Sequence, residues 1–113
     1  MIVEIAELIG CELDGVSEEV FSTNRTLIDA TAYRLGSLGE YVNRLSPELK
    51  ARHPHVAWRK IYSMRNALFH DYEGVLAIRL WVAAGDPLAE LVAVCLAELT
   101  DKNANPGSPA ASP

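Results

Sequence analysis

The run from Arg25 to Arg44 constrains the fold more than any other stretch. Leu27, Ile28, Ala32, Leu35, Leu38, Tyr41, Val42 and Leu45 recur at three- and four-residue intervals, which lays them along one side of a long α-helix. Thr23 or Asn24 is placed to cap its start. Gly36 and Gly39 lie inside it, and each costs a helix roughly 1 kcal/mol relative to Ala. Small residues at that spacing fit the close approach of a second helix, from the same chain or from a second copy.

The segments around this spine repeat the helical period. Ile2, Ile5, Ala6, Leu8 and Ile9 give an amphipathic helix over residues 2–13, with Glu4, Glu7 and Glu12 on its outer face and Asp14-Gly15 ending it. Ser17 caps a short turn through Phe21. Ser46-Pro47 starts another short helix, which closes at Arg52 because the residue before Pro54 avoids helical angles. His53-Pro54-His55 reads as a loop with two histidines and no third metal ligand near in sequence. Residues 56–69 form the next helix, with Trp58, Ile61, Tyr62, Met64 or Arg65, and Leu68 on its buried side. Gly74 is the expected left-handed residue beyond it. Residues 75–84 are apolar almost all round, so they are expected to be covered on both sides, in part by a second subunit. Asp86-Pro87 caps and opens a last helix over residues 88–100. No stretch alternates like a strand. The expected fold is all-α, a bundle of about four main helices, with one domain over residues 1–100 and a disordered tail over 101–113.

Composition excludes several classes. At 113 residues, half of them apolar, the chain supplies one small core. No hydrophobic run is read as long enough to cross a bilayer, and the N-terminus has acids where a signal peptide has bases, so a cytoplasmic location without membrane contact is expected. Cys11 and Cys95 form neither a CxxC pair nor a metal spacing and are expected to be buried, reduced thiols. A net charge of −5 argues against broad non-specific nucleic-acid binding. The charge is nevertheless segregated. Glu4 to Glu19 holds six acids and no base, while Lys50, Arg52, Arg59, Lys60 and Arg65 form a basic run without an acid, a candidate anion-binding surface.

That basic run leads into Arg65-Asn66-Ala67-Leu68-Phe69-His70-Asp71-Tyr72. An imidazole gives and takes protons near neutrality, and a guanidinium stays charged and holds two phosphate oxygens at once. RNA carries its own nucleophile, the 2′-hydroxyl. Cleavage then needs a base, an acid and a cation for the charge on phosphorus, and no metal or other cofactor. On a regular helix Arg65 and His70 lie roughly 140° apart, while Asn66 and His70 share a face. Spacing alone favours a purely structural role: an Arg and a His that satisfy the end of a helix, and a Tyr that packs with its hydroxyl in water.

The wider string changes that balance. Leu45-Ser46-Pro47-Glu48-Leu49, His53-Pro54, Trp58, Ile61, Met64-Arg65-Asn66, His70-Asp71-Tyr72, Gly74-Val75 and Trp81 together resemble HepT-like proteins of the HEPN superfamily, over about residues 26–99. The resemblance implies an α-helical homodimer, the toxin of a toxin–antitoxin pair. It implies a metal-independent ribonuclease with Arg65 and His70 as catalytic residues at the dimer cleft and Asn66 in support. It implies an MntA-like minimal nucleotidyltransferase as antitoxin, which transfers AMP from ATP to Tyr72. An AMP two residues from His70 would exclude an RNA phosphate by bulk and charge. Members of that family have a longer first helix, so the resemblance places the start of this chain partway along it. Two other readings remain: a non-catalytic helical dimer that binds the nucleotidyltransferase, and a nucleotide- or RNA-binding module without cleavage.

Overall fold

The computed structural model describes residues 1–72 and 75–104, with side chains for all but the last four of these. Seven helices and no strand form among the described residues: α1 (Ile2–Leu13), α2 (Glu18–Thr23), α3 (Arg25–Asn43), α4 (Pro47–Arg52), α5 (Trp58–His70), α6 (Ala77–Ala83) and α7 (Asp86–Ala104). The four long ones, α1, α3, α5 and α7, are the main helices of the expected all-α bundle.

Helix starts follow local chemistry. Ser17 Oγ accepts from the Val20 N–H, Asn24 Oδ1 from Leu27 and Ser46 Oγ from Leu49, each satisfying a donor that the first turn leaves unpaired. Asn24, not Thr23, is therefore the cap of α3. α7 starts at Asp86, two residues before the expected 88. Asp86 is itself helical, and the Gly85 carbonyl takes the first bond, from the Ala89 N–H. α7 also continues four residues into the stretch read as tail, while residues 105–113 and Gly74 lie outside the described residues.

α3 is the hub, packing on α1, α2, α5 and α6, while α7 closes on α1 and α6. Ile28, Ala32, Leu35, Leu38 and Val42 of α3 meet Ile2, Ala6 and Ile9 of α1, Phe21, Leu68, Leu80, Leu88 and Leu91 in one core. The glycine stripe faces α5 of the same chain. A Cβ on Gly39 would sit 2.7 Å from the Arg65 Cβ, and one on Gly36 would sit 3.0 Å from the Phe69 ring. Across the C-terminal half, Glu98 of α7 receives Arg52 at 3.2 and 2.7 Å and His53 Nε2 at 2.6 Å. Trp58 Nε1 donates to the carbonyls of Lys50 and His53, which fixes that loop to the start of α5. His53 is thus a structural tie rather than a bystander in a loop.

Three expectations are corrected. Cys11 is exposed because it follows the polar face of α1, although Cys95 is half-buried and burial pushes its thiol up. Tyr62 is 42% exposed rather than buried. α6 buries Leu80 against the chain's own core and leaves Ile78 and Val82 exposed, on the face where a second subunit was expected. Finally, Ala77–Thr100 is long and apolar enough to cross a membrane, since its charges are sparse. Here the turn at Ala84-Gly85 breaks it, and Leu80, Leu88, Leu91 and Val94 face the core.

Candidate active site

The site is built where α5 runs antiparallel to α3. Arg65 lies within α5, and Tyr72 follows two residues past its end. Asp29 and Glu40, the two acids of α3, are eleven apart, about three turns, so both lie on one side of that helix. Packing the two then pairs them off: Glu40 with Arg65 at one end, Asp29 with Tyr72 at the other.

Arg65 is held from several directions. Its NH2 donates to Glu40 Oε2 at 2.7 Å and its NH1 to Asn66 Oδ1 at 2.6 Å. The guanidinium carbon lies 4.5 Å from the Phe69 ring centre and 5.9 Å from that of Tyr62, within cation–π range. Gly39 makes room for its Cβ. Only 19% of the side chain is exposed, and its Nε is buried without a hydrogen-bond partner. The hydrogen bond from Arg65 holds the Glu40 carboxyl below the usual carboxylate range against the opposing effect of desolvation, with the Arg65 and Arg44 charges adding to it.

Tyr72 donates its hydroxyl to Asp29, which also accepts from Arg25 Nε at 3.2 Å. The Arg25 guanidinium lies 5.6 Å from the Tyr72 ring centre. A hollow of about 270 Å³ beside this pair is lined by Asp29, Ala32, Tyr33, Leu68, Phe69 and Tyr72. His70 is the last residue of α5 and is exposed, with no side-chain hydrogen bond to any described residue. The structure therefore joins Arg65 to Asn66 but makes no contact between Arg65 and His70 within one chain.

The basic run does not gather around Arg65. Arg52 is engaged by Glu98, and Lys60 lines a separate groove of about 630 Å³ with Leu35, Ile61, Met64, Val82 and Leu91. None of Arg65, His70 and Tyr72 lines that groove. No group of three or more His, Cys, Asp or Glu that could hold a metal ion occurs among the described residues. Sequence reasoning missed Glu40 and Asp29. No signal in the sequence marked them, since each pairs with a residue of a different element.

An all-α chain with an arginine braced on its central helix and an open histidine one turn on fits the HEPN class. The family model for "Ribonuclease HepT-like" matches residues 2–97, and the chain belongs to that family. It is 31% identical over 90 residues to "Putative RNase TTE0752" of Caldanaerobacter subterraneus subsp. tengcongensis, covering 80% of each chain. It is 30% identical over 106 residues to "Gamma-glutamylcyclotransferase and putative RNase MJ0434" of Methanocaldococcus jannaschii, covering 92% of this chain and 48% of that one. "Putative RNase MJ1216" of the same archaeon is 27% identical over 73 residues, covering 65% of this chain and 60% of the relative. No solved structure matches.

Proposed function

We propose that this chain is a metal-independent endoribonuclease and the toxin of a toxin–antitoxin pair. The family match over residues 2–97 carries the ribonuclease reading. The open position of His70, five residues after a braced Arg65, supports the assignment of roles. His70 removes the proton of an RNA 2′-hydroxyl, whose oxygen attacks the adjacent phosphorus. The 5′-oxygen leaves with a proton from a second acid, which the His70 of another protomer would supply. Arg65 stabilises the charge on the phosphoryl oxygens, and Asn66 supports Arg65. The exposed Ile78 and Val82 of α6 and Leu96 and Leu99 of α7 support a homodimer. An MntA-like nucleotidyltransferase neutralises the toxin by moving AMP onto Tyr72. For that the Tyr72 hydroxyl must leave Asp29.

The test is His70→Ala. RNA cleavage falls by about 10²–10⁴-fold while the helical circular dichroism stays the same. Unchanged cleavage rejects the assignment. One observation favours the second reading, a non-catalytic dimer that binds the nucleotidyltransferase. Arg65 is mostly buried and already paired with a carboxylate, which competes with a phosphate for it.

A further inference from the structure

We propose that Glu40 is a positioning residue that holds the Arg65 guanidinium ready for a phosphate. The proposal rests on the ribonuclease reading of this site and addresses what a carboxylate is doing beside its cation.

Two roles are open to such an acid. It could quench the arginine, or it could fix it in place. The geometry points to the second. An arginine that is merely neutralised needs only a nearby carboxylate, whereas Arg65 is restrained along its whole length. Gly39 admits its Cβ, where any larger residue would place a carbon 2.7 Å away. The Phe69 ring lies against the guanidinium at 4.5 Å. Asn66 takes NH1 at 2.6 Å and Glu40 takes NH2 at 2.7 Å. Nε is buried and bonds to nothing, so what remains for a ligand is on the two terminal nitrogens. Each of these has two N–H groups and gives one to the protein, leaving one each for the two oxygens of a phosphate. Glu40 itself is partly exposed, at 32% of its side chain, so water screens its charge while its hydrogen bond still sets direction. A long side chain fixed at base, face and tip has lost its rotamer freedom before the substrate arrives, which is how misplacement at the reacting centre is avoided.

The two roles predict opposite signs. In the positioning role, Glu40→Ala lowers kcat about 10²-fold and leaves KM nearly unchanged, Glu40→Asp recovers part of the loss, and Glu40→Gln, which keeps an acceptor without the charge, falls between. In the quenching role, Glu40→Ala and Glu40→Gln both bind and cut RNA better than wild type. That result, or an unchanged kcat in a folded Glu40→Ala, overturns the proposal. If Glu40→Ala fails to fold by circular dichroism, the near-isosteric Glu40→Gln and Glu40→Asp carry the comparison.

A second readout does not need activity. The buried Arg65 Nε–H is shielded from water and gives a slowly exchanging arginine side-chain signal in a ¹⁵N–¹H NMR spectrum, identified by its loss in Arg65→Lys. The signal broadens or vanishes in Glu40→Ala if Glu40 holds the guanidinium, and survives unchanged if it does not. Should the wild-type protein cut no RNA, the ribonuclease reading fails, while this signal still decides whether Glu40 fixes Arg65.

Discussion

Gly39 and Gly36 show at single-residue scale how the site depends on the α3–α5 contact. Alanine improves helix propensity by about 1 kcal/mol, but overpacking costs about 1–3 kcal/mol. At Gly39 the new methyl would meet the Cβ of Arg65, which cannot move without α5, so the cost wins. At Gly36 it would meet the edge of the Phe69 ring, which is half exposed and can swing outward. Gly39→Ala is therefore expected to lower the melting temperature by several degrees and to displace Arg65, while Gly36→Ala stays close to wild type; thermal unfolding of the two side by side checks the order. The Arg65, Asn66, His70 and Tyr72 string was legible in the sequence because it is contiguous. Glu40 and Asp29 were not, because a charge on a helix reads as solvated until the partner helix is placed against it.

Among the elements, the helices themselves were the most legible part. Asn24, Ser46 and Ser17 announce helix starts by chemistry that acts within three residues, and the observed caps use those side chains. The tie between α4 and α7 was not legible, since Arg52 and His53 meet Glu98 across more than forty residues of chain. This tie carries a pH dependence. Hydrogen bonds from Arg52 and then His53 hold the Glu98 carboxyl at about 2, below its ordinary 4.5. The unfolded chain then binds more protons than the folded one between those values. The stabilisation is present in full above about pH 4.5 and lost as pH falls toward 2. Melting temperature measured down that range should drop in wild type and drop less in Glu98→Gln. Within the core, Leu91 is 1% exposed, and Leu91→Ala is expected to cost about 2–5 kcal/mol in denaturant unfolding.

At the scale of the whole molecule, the bundle and its family were readable from periodicity and from one specific string, whereas assembly was not. The apolar faces of α6 and α7 look alike in sequence whether a core or a second copy covers them; here the chain buries Leu80, Leu88 and Leu91 and leaves Ile78, Val82, Leu96 and Leu99 outside. If those outer residues meet a second protomer, sedimentation at micromolar concentration gives a dimer. The dimer also bears on chemistry, since the motif of one chain holds a single histidine and the reaction needs both a base and an acid. The most direct measurement is cleavage of a mixed RNA pool by the purified protein in excess chelator, beside His70→Ala, with the product ends identified and intact mass confirming that Tyr72 carries no AMP. Attack by the 2′-hydroxyl predicts 2′,3′-cyclic phosphate and 5′-hydroxyl ends from wild type and almost none from His70→Ala. Equal cutting by the two proteins, or no cutting by unmodified wild type, would contradict a ribonuclease built on Arg65 and His70.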